Sequence, residues 1–178
     1  MATPAPSGYT VDDLPWLRDE IGVAHLELDP WGSLIVSPAN DEHEIAISEL
    51  HRQAVLQLRD PVCQVLGNGF PWTVPGGSGY LTMPDLTVMA PGWQRVGELH
   101  LAPPPALVVE VASPSTRGVD RSRKLADYRL GGAGVYLLVD LPSTFEAHDL
   151  HTGTVVTSAG TIDLVVDGQP LRLDLARA

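Results

Sequence analysis

The run VYLLVD at 135 to 140 constrains the fold more than any other, because it is apolar at every position but the last. A strand with one wet face alternates apolar and polar residues, so a strand apolar on both faces belongs inside a sheet with material packed on each side. ALVVEVA at 106 to 112 and YLTMPDLTVM at 80 to 89 have the same β-rich character. A helix read from Asp120 to Leu130, stopped by Gly131-Gly132, separates ALVVEVA from VYLLVD.

The rest of the chain arranges itself around these strands. MATPAPSG at 1 to 8 is small and Pro-rich and reads as a disordered lead-in, leaving 9 to 178 as one domain. Thr10 and Asp13 make a capping-box pattern for a first helical turn. HLELD (25 to 29) and SLIVS (33 to 37) flank a Pro-Trp-Gly turn and predict an N-terminal hairpin. A long helix follows, capped by Asn40 or Asp41, with Ile47, Leu50, Ala54 and Leu58 at helical spacing until Asp60-Pro61 ends it. VCQVL reads as a short strand, GNGFPWTVPGGSGY (67 to 80) as a long loop, and APGWQRVGELHLAPPP as a connection. FEAHDL, TVVTS, TIDLVV and LRLDL predict a strand-rich, antiparallel C-terminal tail. The fold class is α+β or mixed α/β: a mixed central sheet flanked by helices.

Composition excludes some functions and opposes others. At 178 residues and 44% hydrophobic the chain can bury a core without a disulfide or structural metal. The lone Cys63 cannot form an internal disulfide and reads as a small core residue. No basic start leads into an apolar run, so a cytoplasmic protein is expected, and no apolar stretch approaches the ~18 residues of a membrane span. The net charge of -11 is the wrong sign for a broad nucleic-acid-binding surface. Yet RGVDRSRK at 117 to 124 gathers four of the eleven cations, and Arg117, Arg121 and Arg123 there are the candidates for phosphate contact.

Two acids sit where acids are expensive. Asp85 and Glu110 each interrupt an apolar strand, and an uncompensated carboxylate buried there would cost several kcal/mol. A divalent cation compensates hard carboxylate oxygens directly; a surface position or a salt bridge is the structural alternative. Lys124 lies one helical turn after Asp120 and one before Tyr128. It can reach a metal-side water over the end of the ALVVEVA strand, or it can be an exposed lysine paired with Asp120 or Asp127. Ser113 lacks any recognisable His and Asp partner and suits capping better than nucleophilic attack. The two histidines of HDLH, His148 and His151, have no zinc-like company and read as solvated surface. Trp72 and Tyr80 border the glycine-rich loop and suit either packing or stacking on a base.

PD, then EVASPSTRGVDRSRKLADY, then VYLLVD, together with HLELD and SPANDEH, make the chain resemble the Uma-two (DUF820-like) endonuclease family over roughly residues 10 to 150. That family is a branch of the PD-(D/E)XK nuclease superfamily, so the resemblance implies a restriction-endonuclease-like core. It implies Mg2+ (or Mn2+) held by Asp85, Glu110 and the backbone carbonyl of Val111, with Glu27 completing the shell, fixing a coordinating water or serving as an ordinary strand carboxylate. The superfamily places its water-handling lysine two residues after the Glu, where this chain has Ala112. The Uma-two pattern carries it on the next helix instead, which implies Lys124. His43, Ser113, Asp120 and Tyr128 match further recurrent positions. The implied activity is metal-dependent endonucleolytic hydrolysis, of DNA rather than RNA, and a homodimer is expected, for which the strand-rich tail from 145 to 174 could supply an interface edge. The alternative is a catalytically inactive nuclease-fold binding or regulatory module, favoured by the acidic balance and the absent strand lysine.

Overall fold

The computed structural model describes residues 8–22, 26–29, 31–35, 41–58, 64–67, 71–73, 81–96, 100–112, 118 and 120–177. Its frame is a six-stranded mixed sheet. In chain order those strands are β3 (Gln64–Leu66), β6 (Leu86–Met89), β9 (Leu107–Ala112), β10 (Val135–Asp140), β11 (Thr144–Asp149) and β12 (Val155–Ala159). Their order across the sheet is β12-β11-β10-β9-β6-β3. Only β9 and β10 run parallel, with Glu110 in register with Leu138; the remaining neighbours are antiparallel. VYLLVD therefore lies near the middle of the sheet with four core residues buried, as its apolar faces require.

Strand alternation sorts the core into two layers. Leu86, Val88, Leu107, Val109, Val111, Leu137 and Val139 face one side and pack with Ala46, Ile47, Leu50 and Ala54 of helix α2 (Asp41–Gln57). Acids at Asp41, Glu42 and Glu44 fill the first turn of α2, where the helix dipole favours negative charge. The same layer is closed by a separate hairpin, β13 (Thr161–Val166) with β14 (Gln169–Asp174), through Ile162, Val166, Leu171 and Leu173. Gln53 binds Asp174 through both its backbone groups, and Gln57 does the same for Arg172. The two glutamine amides thus serve β14 as the next strand would, which satisfies its free edge.

The opposite face carries Met89, Val108, Ala112, Tyr136 and Leu138, covered by Trp72, Leu101 and Tyr128. Tyr128 lies on the short helix α3 (Leu125–Leu130), which continues a π-helical segment, Asp120–Lys124. A third cluster, Leu14, Leu17, Leu26, Leu28, Leu81 and Met83, joins helix α1 (Leu14–Ile21) to the hairpin of β1 (Glu27–Leu28) and β2 (Leu34–Ile35). Thr10 and Asp13 form the expected capping box.

Three stretches differ from their sequence reading. The run at 80 to 89 splits into β5 (Leu81–Thr82) and β6, because Pro84 has no N–H for a ladder and the chain turns at Asp85. The presumed loop before it contains β4 (Trp72–Thr73), which pairs with β5. The connection before β9 contains a hairpin of β7 (Gln94–Val96) and β8 (His100–Ala102). Each of these strands is too short for periodicity to register. The lead-in 1–7 and Cys63 fall outside the described residues, and no described helix is long and apolar enough to cross a membrane.

Leu137 is fully buried between β9, β11 and α2. Leu137→Ala is expected to lower stability by about 2–5 kcal/mol, seen as a reduced urea midpoint with an unchanged slope. A second expectation concerns acid. The Asp149 carboxylate accepts the N–H groups of Thr152 (2.8 Å) and His151 (3.0 Å) at the β11–β12 turn, and the Thr152 bond leads in holding it below the usual carboxylate range. A depressed folded value gives stability that is present above the unfolded pKa of about 4 and is lost as pH falls through the folded one. Asp149→Asn should therefore flatten the acid limb of a stability profile measured by urea melts from neutral pH downwards.

Candidate active site

Glu110 points from the middle of β9 into the second layer, where it is 3% exposed. Its carboxylate accepts from Lys124 Nζ at Oε2 (3.0 Å) and from the Tyr128 hydroxyl at Oε1. Lys124 and Tyr128 are four residues apart and reach the same carboxylate, so one face of the helix closes over one strand residue. Lys124 Nζ also lies 3.3 Å from Glu27 Oε1. Glu27, at the start of β1, is held in place by the Met83 N–H (2.8 Å). The sequence alternative is an exposed lysine paired with Asp120 or Asp127; Lys124 is instead buried, 8% exposed, and Arg123 lies 3.7 Å from Asp127.

Asp85 comes to the same place from the neighbouring strand. It precedes β6, which pairs antiparallel with β9, and its Oδ2 accepts the N–H of Val111 (2.7 Å). The carboxylate is thereby anchored to the residue immediately after Glu110. His43, in the first turn of α2, places Nε2 at 3.4 Å from the same oxygen. The bond to Asp85 outweighs burial and raises the His43 pKa above its ordinary value. Burial, followed by the nearby Glu110 and Glu27 carboxylates, pushes the Tyr128 phenol well above its ordinary value. Tyr128 is consequently a neutral donor to Glu110 at any physiological pH.

An aromatic stack fixes that donor. The Trp72 ring lies 5.7 Å from Tyr128 at an interplanar angle of 8°, and Tyr136 contacts the Tyr128 ring at 5.4 Å. Trp72 is 1% exposed, so packing is its role here. No sequence signal tied Trp72 to Glu110, because the link runs through ring geometry between distant segments.

The cations of the 117 to 124 stretch separate in space. Arg121 contacts Asp140 (3.2 Å) and Glu146 (3.5 Å), and Arg123 contacts Asp127. His148 is 8% exposed and bonds Glu146 at 2.7 Å, which corrects its reading as solvated surface; His151 is exposed. Its alternation with Ala147 turns it onto the Tyr136 side of the sheet, where burial follows. Ser113, Arg117, Tyr80 and the side chain of Asp120 lie outside the described residues.

Glu27 and Glu110 thus share the Lys124 ammonium, and Asp85, bonded to the residue after Glu110, faces the His43 imidazole. Hard oxygens in excess of cations suit Mg2+, which takes one or two protein carboxylates and keeps several waters. A fuller cage is not built: among the described residues no three His, Cys, Asp or Glu are grouped to hold a metal by themselves. The donor set fits a sparse, water-rich ion.

Comparison with known proteins follows the geometry. Among curated proteins none matches this chain. A crystal structure described as "a putative nuclease belonging to DUF820 from Anabaena variabilis ATCC 29413" is similar in fold, with a TM-score of 0.59 and 16% identity. The similarity covers 84% of this chain and 83% of that one. The Uma2 family, described as "Putative restriction endonuclease", matches residues 20–159, a span that holds Glu27, His43, Asp85, Glu110, Lys124 and Tyr128. The chain belongs to the Uma2 family.

Proposed function

We propose that the protein is a Mg2+-dependent endonuclease (Mn2+ serving equally) that hydrolyses phosphodiester bonds in DNA, acting in the cytoplasm as a homodimer. The observation that carries this reading is the buried Glu110 carboxylate shared by Lys124 and Tyr128, with Asp85 bonded to the adjacent Val111 N–H. Membership of a family described as restriction endonuclease favours DNA as the substrate.

Asp85, Glu110 and the Val111 carbonyl would hold the ion, with Glu27 beside them. When bound, Mg2+ polarises the scissile phosphate and lowers the pKa of a bound water. The chain's own groups do the rest. Lys124 Nζ is ion-paired with Glu27 and Glu110, and an ammonium donates hydrogen bonds and cannot accept a proton. Its task is to orient the attacking water, and general-base work falls to a carboxylate or to solvent. Tyr128 keeps Glu110 Oε1 engaged and limits the carboxylate to one orientation. Arg121 and Arg123 would have to leave Asp140, Glu146 and Asp127 before contacting phosphate, whereas Arg117 remains the third candidate.

A second reading rests on one observation. Lys124 already compensates both Glu27 and Glu110, so the site is stable as an ion-pair network and suits a non-catalytic binding or regulatory module as well. Two measurements separate the readings. Mg2+-dependent nicking of supercoiled plasmid should fall by about 100-fold or more in each of Asp85→Ala, Glu110→Ala and Lys124→Ala, with circular dichroism verifying the fold. Equal activity in all four proteins would sink the catalytic assignment. Calorimetric titration with Mn2+ should show binding that Asp85→Ala and Glu110→Ala lose, and tight binding without turnover on DNA or RNA would establish the binding module instead.

A further inference from the structure

Strand β12 ends the six-stranded sheet, and among the described residues nothing pairs with its outer side. Its sequence, VVTSA, holds no lysine, proline or acid, and its register with β11 is continuous, so no bulge twists it away. Natural sheet edges are usually blunted by one of those devices. Val155 and Val156 are 51% and 50% exposed, and since consecutive residues face opposite sides, both faces of the edge are open.

Two hydrogen bonds show which backbone groups look outward. Asp149 N–H donates to Thr154 O (2.9 Å) and Gly160 N–H to Ser143 O (2.8 Å), which marks 154 and 160 as positions bonded to β11. Alternation makes Val156 and Ser158 bonded as well. The N–H and C=O groups of Val155, Thr157 and Ala159 therefore point away from the sheet. These positions are symmetric about Thr157.

We propose that β12 pairs antiparallel with β12 of a second copy of this chain, about a two-fold axis at Thr157. Thr157 then faces its own equivalent, and Val155 faces Ala159 of the other copy. Every outward donor meets an outward acceptor, and both meet within one segment, the self-complementarity that a two-fold interface demands. Charge favours a second copy at this place. The chain carries -11 overall, yet residues 150–162 contain no Asp, Glu, Lys or Arg, so this segment sets no like charges directly against each other when two copies meet. The pairing supplies a surface for the homodimer reading given above, and it does not depend on cleavage.

The test uses the full chain and reads mass, so failure here leaves the catalytic reading standing. Sedimentation equilibrium across a concentration series should show reversible association from 19.0 kDa towards twice that mass. Thr157→Pro leaves the β11 ladder intact, because the Thr157 N–H does not serve it, and removes the donor at the axis. Thr157→Lys sets two ammonium groups against each other and covers the case in which the proline variant does not fold. Both should weaken association at least tenfold. In a Cys63→Ser background, Thr157→Cys should oxidise to a covalent dimer, since bonded antiparallel partners lie about 5.5 Å apart at Cα, within disulfide range. Ser158→Cys, which faces Val156 of the other copy, should not. A monomer at every attainable concentration overturns the proposal. So does a dimer unchanged by folded Thr157→Pro and Thr157→Lys proteins, or equal cross-linking at 157 and 158.

Discussion

The buried Glu110 carboxylate is the constraint on which the second face of the sheet depends. A charged group 3% exposed in the middle of a strand is tolerable only with close partners, and both partners come from the segment that crosses from β9 to β10. Lys124 and Tyr128 therefore pin that segment to the sheet at one point. Removing either would leave a buried polar group unsatisfied, at a cost of roughly 1–3 kcal/mol for the neutral donor and about 3–5 kcal/mol for the ion pair. The aromatic stack of Trp72, Tyr128 and Tyr136 then follows, because a hydroxyl that must meet Glu110 needs a ring that cannot rotate away.

The two faces of the sheet divide apolar packing from polar partnerships. On one side α2 and the β13–β14 hairpin bury a layer that is aliphatic apart from Phe145. On the other, Glu110, Asp140, Glu146 and His148 each have a named polar partner. Period-two alternation produces this division without further instruction: the odd residues of β9 are aliphatic, whereas its even residues include Glu110. Asp85 bridges the two regimes. It sits where Pro84 breaks the strand, so its carboxylate turns to the Val111 N–H while His43 approaches from the first turn of α2.

The long elements were legible in the sequence because each has many residues voting for one period. α2, β9, β10 and the C-terminal strands all appear where patterning places them, and the anomaly of acids in apolar strands singled out Asp85 and Glu110. β4, β7 and β8 were not legible, since two or three residues carry no period, and their pairing depends on neighbours remote in sequence. Glu27 and Tyr128 came into view through family resemblance; nothing in their local sequence foretold that Lys124 would join one strand carboxylate to the other. His148 was misread because its neighbours resemble a turn, whereas the burial that decides its state comes from Tyr136 on the adjacent strand.

The position of the lysine has its own physical logic. Ala112, two residues after Glu110, is 3% exposed within the cluster that holds Tyr128, Tyr136 and Trp72. A four-carbon side chain at 112 would have to displace those rings, and overpacking a closed core costs about 1–3 kcal/mol. An ammonium brought in from the helix reaches Glu110 without a long side chain at 112. The π-helical turn at Asp120–Lys124 is where this happens, and such wide turns recur at functional sites because they shift the register of the side chains that follow. The aromatic packing that holds Tyr128 and the helical placement of Lys124 are in this sense two sides of one solution: the rings fill the strand position, and the charge arrives from above.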